Sequence, residues 1–136
     1  MNVLFICTDN TSRSPMAKAV FESIAEKKNL DVTADSAGIA AGDSEDANPR
    51  AVEAMAEIGL DISQHKTKNV TPKLLSDSDY IIVMTEAQRE KLSAFDGTLS
   101  EKIRVLDVDN PGGHTIEAYR LCRKQIKEHL SEIADL

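Results

Sequence analysis

The sequence predicts an α/β domain built on a parallel sheet. Short apolar runs alternate with helical patterns along the chain, and three helix starts place a capping residue directly before proline: Ser14-Pro15, Asn48-Pro49 and Thr71-Pro72. With 136 residues the chain can build one hydrophobic core but hardly two ordinary ones. One domain over residues 1–136 is expected, and strand followed by helix, repeated, calls for parallel strands.

The first strand is expected near residues 2–7, on the run Val3-Leu4-Phe5-Ile6, and Ser14-Pro15 then opens a helix near 15–28. A second strand follows near 31–36, and Asn48-Pro49 starts a helix near 49–58. Thr71-Pro72 starts a short helix near 71–76, ahead of a third strand on Tyr80-Ile81-Ile82-Val83-Met84. A helix near 87–95, a strand near 103–106 and a helix near 115–134 complete the pattern. The last helix puts Ile116, Tyr119, Ile126, Leu130 and Ile133 broadly on one face, which reads as core packing.

The segment most informative about function is Cys7-Thr8-Asp9-Asn10-Thr11-Ser12-Arg13-Ser14, at the exit of the first strand. Open α/β sheets place their ligands at such strand ends. With Ser14 as helix cap and Pro15 at the first helical position, the loop N–H groups and the helix N-terminus converge on one point where anions collect. The same positive potential favours thiolate over thiol at Cys7. Arg13 adds a planar fork of donors able to hold two phosphoryl oxygens as charge moves during transfer. Cys7 is the expected nucleophile, with Thr8, Asp9, Asn10, Thr11, Ser12 and Arg13 around the phosphoryl group.

Thiolate attack also needs a proton for the departing group, and the loop has none to give. Asp107 and Asp109, in Asp107-Val108-Asp109-Asn110-Pro111-Gly112-Gly113, are the candidates. A loop aspartate there can protonate the leaving atom and then activate water, an effect of about 10²- to 10⁴-fold. One of the pair could instead cap the following helix.

Composition excludes several classes. A formal charge of −7 argues against nucleic acid as a general partner. No apolar run approaches the roughly 20 residues needed to span a bilayer, and the start lacks signal-peptide character, so a cytoplasmic protein without a membrane partner is expected. Cys7 and Cys122 have neither disulfide-framework nor zinc-site spacing, and no metal or other cofactor is expected. His114 and His129 read as surface or satisfied histidines.

The opening Asn-Val-Leu-Phe-Ile-Cys, the Cys7 to Arg13 loop and the following Ser14-Pro15-Met16-Ala17 resemble the low-molecular-weight protein tyrosine phosphatase family. That family also contains protein arginine phosphatases and thioredoxin-coupled arsenate reductases. The similarity extends through Asp35-Ser36-Ala37-Gly38, Asn48-Pro49, His65, the third strand and the acidic segment. It implies a flavodoxin-like three-layer sandwich with a four-stranded parallel sheet in the order 2-1-3-4. It also implies supporting roles for Asn10, Ser14, Ser36 and His65, which hydrogen-bond around the loop, with the Ser14 hydroxyl donating to the Cys7 thiolate. The family's acid usually lies in Asp-Pro-aromatic-Gly-Gly. Aligning on Gly112-Gly113 selects Asp109, with Asp107 as a neighbour, while Asn110 and Pro111 depart from the usual order.

The resemblance implies hydrolysis of phosphotyrosine in proteins, or of phosphoarginine as Thr11 suggests, through a phosphocysteine intermediate, by a monomer or weak homo-oligomer. Phosphotyrosine sites in the family usually carry a bulky aliphatic residue at the position of Thr11 and aromatic walls at the entrance. Thr11 is small and polar, and 40–47 and the acid loop contain no aromatic residue. Threonine there resembles the arginine phosphatases, whereas Ser12 replaces a second loop cysteine that many members share. An arsenate reductase is the alternative on the same fold, but it needs two further cysteines after the third strand, and none lies between Met84 and Leu106. A weakly active phosphate-binding adaptor is the third reading.

Overall fold

The Val3–Ile6 run is apolar at every position because the first strand lies at the centre of a sheet covered on both faces. In the structure, a computed structural model describing residues 1–111 and 114–133, β1 (Asn2–Cys7) is flanked by β2 (Thr33–Gly38) and β3 (Tyr80–Val83). β4 (Ile103–Val105) pairs with β3 at the far edge. All pairings are parallel and the order is β2-β1-β3-β4, as the resemblance implied. Gly112, Gly113 and Ala134 to Leu136 lie outside the described residues, as does the side chain of Ile133. The glycine pair used to align the acid loop and the expected end of the last helix fall there.

Side-chain alternation along β1 builds three layers. Val3, Phe5 and Cys7 pack with Met16, Phe21, Tyr119 and Ile126 beneath α1 (Arg13–Lys27), α2 (Pro49–Ala56) and α5 (Ile116–Ile133). Leu4 and Ile6 face Leu75 and Leu92 of α3 (Pro72–Asp77) and α4 (Glu86–Phe95). The nucleophile candidate thus begins in the α1/α5 half of the core. α5 buries Tyr119, Ile126 and Leu130 as its periodicity predicts, and adds Cys122 to the same stripe. Glu57 accepts hydrogen bonds from Arg120 at 2.6 Å and Arg123 at 2.8 Å, tying the end of α2 to α5. These two guanidiniums, Arg120 first, hold its carboxyl down to about 2.

Two of the three proline starts are as expected. Asn48 accepts from the Arg50 amide and Thr71 from the Leu74 amide, each just before proline. The first differs: α1 begins at Arg13 with Ser12 as its cap residue, and no side chain caps it. Ser14 lies inside the first turn, because its hydroxyl is engaged by Cys7 and Asn10. Pro15 follows at the third helical position, still among the residues whose N–H has no intrahelical acceptor. The second strand is shifted from 31–36 to Thr33–Gly38, since it pairs residue for residue with β1 and ends with Gly38 opposite Cys7. α2 closes through Gly59, at φ 79°, where Leu60 N–H reaches the Met55 carbonyl and Gly59 N–H the Ala56 carbonyl.

Tyr119 is fully buried, yet its hydroxyl has no hydrogen-bond partner among the described residues. An unsatisfied buried hydroxyl costs about 1–3 kcal/mol, so Tyr119→Phe should leave thermal stability unchanged or raise it. A lower melting temperature in calorimetry would show that the oxygen is satisfied in solution.

Candidate active site

β1 delivers Cys7 to the carboxyl edge of the sheet, and the chain turns back through 8–12 into α1. The turn is made at Asn10, whose φ of 61° lies in the left-handed region that asparagine tolerates better than most residues. Its side chain is fully buried and every polar atom is used. Nδ2 donates to Ser14 Oγ at 2.7 Å and to Ser36 Oγ at 3.1 Å, while Oδ1 accepts from the Lys68 amide at 3.1 Å. His65 Nε2 lies 2.7 Å from the Asn10 carbonyl. A carbonyl only accepts, so Nε2 carries the proton.

These bonds converge on sulfur. The Asn10 amide lies 3.2 Å from Cys7 Sγ and Ser14 Oγ 2.9 Å from it. Because Ser14 Oγ accepts from Asn10, its own hydrogen is left for the sulfur. Two donors therefore face Sγ. The amides of Asp9, Ser12, Arg13 and Ser14 have no acceptor among the described residues, leaving them to an anion at the helix N-terminus.

Arg13 is 5% exposed and turns inward. Its Nη1 donates to the Val108 carbonyl at 3.0 Å, joining the loop to the acid segment. The Leu106 and Val108 amides continue the β4 pairing by donating to Val83 and Met84 carbonyls at 2.8 Å, and His129 Nδ1 meets the Leu106 carbonyl. Asp107 sits between them at φ 62°. Asp107 and Asp109 are both exposed, on either side of the carbonyl that Arg13 holds. Neither caps α5: the hydroxyl of Thr115 accepts from Ala118 N–H at its start.

The predicted residues Cys7, Asn10, Ser14, Ser36 and His65 form one connected network. Thr8 and Asp9 are exposed beside it, Ser12 is buried, and Thr11 is half-buried with its carbonyl accepting from the Asn48 amide. Sequence reading missed three contributors. Gly38 is one, because a Cβ there would lie 2.8 Å from the Thr8 carbonyl oxygen and 3.2 Å from Asn10 Cβ. Lys68 is another, acting through its backbone, which leaves no side-chain signature. Gln88 is the third. Its amide reaches Thr8, and the pattern Thr85-Glu86-Ala87-Gln88 was a readable capping box. Burial pushes Cys122 up to about 12 and leaves it a core thiol.

Burial lowers the His65 pKa, helped by Lys18 and Lys68, against the opposing bond to Asn10. The fold therefore resists a proton that the unfolded imidazole, at 6.5, accepts. This contribution is complete above the unfolded value and is lost as pH falls toward the lower folded one. Stability should decline as pH falls below the unfolded value of 6.5, and His65→Gln should make that decline shallower. Identical slopes in thermal melts of the two proteins would contradict this account.

The chain matches the low molecular weight phosphotyrosine protein phosphatase family over residues 2–135. A protein-arginine-phosphatase of Bacillus subtilis is 34% identical over 98% of this chain and 95% of its own. The low molecular weight protein-tyrosine-phosphatase PtpB of Staphylococcus haemolyticus is 34% identical over 93% of this chain and 92% of its own. A solved mutant of YwlE arginine phosphatase with a phosphorylated active-site serine has a TM-score of 0.95 and 33% identity, covering 99% of this chain and 94% of that one. With fold, loop and full-length similarity in agreement, the chain belongs to the low molecular weight phosphotyrosine protein phosphatase family.

Proposed function

We propose that this protein removes phosphoryl groups from phosphoarginine in proteins, with Cys7, Arg13 and Asp109 as its catalytic residues. The observation that carries the phosphatase chemistry is the sulfur of Cys7 set beneath unpaired loop amides, with the Asn10 amide and Ser14 hydroxyl directed at it. Thr11 carries the substrate choice. It offers a small hydroxyl where an aryl substrate wants an apolar wall, and no aromatic residue stands in 40–47. The similarity to a protein-arginine-phosphatase supports the same reading.

In the first step the Cys7 thiolate attacks phosphorus in line with the scissile bond. The Arg13 guanidinium and the amides of Asp9, Ser12, Arg13 and Ser14 hold the phosphoryl oxygens. As the S–P bond forms and the P–N bond breaks, Asp109 gives its proton to the departing guanidine nitrogen. In the second step the Asp109 carboxylate takes a proton from water, whose oxygen attacks phosphorus. The S–P bond breaks, inorganic phosphate leaves, and Cys7 returns as thiolate. Asn10, Ser14, Ser36 and His65 hold the loop through both steps. A nucleophile that must stay reduced suits a cytoplasmic location.

Arsenate reduction is disfavoured because the chemistry needs further thiols. Cys122 is the only other cysteine, and it is buried and protonated.

Phosphatase assays test these roles. Cys7→Ser should abolish turnover, and Asp109→Asn should slow it by about 10²- to 10⁴-fold. Full activity in either variant would remove the assigned role. Thr11→Ile should raise phosphotyrosine turnover relative to phosphoarginine turnover, and an unchanged ratio would end the argument from Thr11.

A further inference from the structure

Gln88 sits at the third position of α4, is buried, and has all its described polar contacts directed at two elements of the site's frame. Its Oε1 accepts from the Met84 amide at 2.8 Å and from the Thr85 amide at 3.1 Å. Those two donors fix which way the side-chain amide faces. Nε2 is left pointing away from them, and it donates to Thr8 Oγ1 at 3.1 Å. The contact links residues 80 positions apart, across the crevice between β1 and β3 at their carboxyl ends.

The polarity of that bond has a consequence. A hydroxyl that accepts from an amide keeps its own hydrogen for another acceptor. Among the described residues none takes the Thr8 hydrogen, and Thr8 is exposed, directly after Cys7. The Thr8 carbonyl accepts from Ala40 N–H at 2.8 Å and rests against Gly38, so its backbone is held from one side and its side chain from the other.

We propose that Gln88 is a positioning residue that acts through Thr8: it holds the Thr8 hydroxyl as an acceptor and so makes its hydrogen an added donor to the phosphoryl group bound over Cys7. The inference rests on the phosphatase reading of the loop. Gln88 touches neither substrate nor sulfur. Its capping-box duty at α4 and its duty to Thr8 use opposite ends of one rigid amide, so the turn after β3 sets the hydrogen-bond polarity of the loop after β1.

Gln88→Glu tests this by reversing that polarity. A carboxylate can keep both bonds from Met84 and Thr85, since glutamate serves a capping box as well as glutamine does. It cannot donate to Thr8, whose hydroxyl must then donate to it and turn its hydrogen away from the site. The readouts are the dissociation constant for inorganic phosphate by titration calorimetry and kcat/KM for an aryl phosphate. Gln88→Glu should weaken both by about tenfold, as expected for one charge-assisted hydrogen bond. Thr8→Val should do the same, and adding Gln88→Glu to Thr8→Val should cost clearly less than Gln88→Glu costs alone, since only the carboxylate's repulsion of the anion is then left to act.

Equal losses from Gln88→Glu with and without the Thr8 hydroxyl would overturn the proposal. Where Gln88→Glu fails to fold, as judged by its melting curve, Thr8→Val decides alone, and unchanged phosphate affinity in that variant refutes the donor role. A wild-type protein that binds phosphate but hydrolyses no phosphate ester would sink the phosphatase reading instead, and the phosphate affinities would still judge the relay.

Discussion

The site hangs on the left-handed backbone of Asn10. A loop that must present several N–H groups to one anion has to reverse its direction within a few residues, and one residue takes the positive φ that allows it. Such a conformation persists only where its surroundings over-determine it. Here they do so through Ser14, Ser36, Lys68 and His65, drawn from α1, β2 and the segment after α2. The same residue gives its own amide to Cys7, so holding the loop and polarising the sulfur are one act.

Sheet topology decides which parts can meet at that loop. The chain leaves β1 toward β2 on one side and later returns to β3 on the other, so the carboxyl ends of β1 and β3 bound the crevice where α/β folds place ligands. Each of the other three strands contributes there. β2 supplies Ser36 and the close approach at Gly38, β3 leads into Gln88, and β4 runs on to the carbonyl that receives Arg13. Arg13 therefore has two tasks with one fork in the proposed mechanism: Nη1 steadies the acid segment, and the remaining donors are assigned to the phosphoryl group. The start of α1 and the segment after β4 set the two ends of this bond, and Asp109 follows directly on the carbonyl that Arg13 holds although the aspartate itself is exposed.

Most of the fold was legible because its signals are local. Strand runs, the caps at Asn48 and Thr71 and the stripe on α5 depend on near neighbours in the chain, and their boundaries fall within about two residues of expectation. The beginning of α1 was not legible for the converse reason. Ser14 has the features of a cap, but a bond to sulfur and another to Asn10 claim its hydroxyl, and both are properties of the folded loop. The start of β2 depends likewise on register with β1. At the site, Cys7 and Arg13 announced themselves by spacing. Ser36 and His65 could be named only through family resemblance, since each is an ordinary polar residue until the fold carries it to Asn10.

The placing of sulfur has a cost under oxidative conditions. Ser12 stands beside Arg13 where many relatives keep a second thiol, and Cys122, held protonated in the core, is a poor attacking group near neutrality. A sulfenic acid formed at Cys7 by peroxide would find no thiolate in its own chain with which to close a protective disulfide. Recovery would depend on small-molecule or protein reductants reaching the pocket before the sulfur climbs to its irreversible oxides.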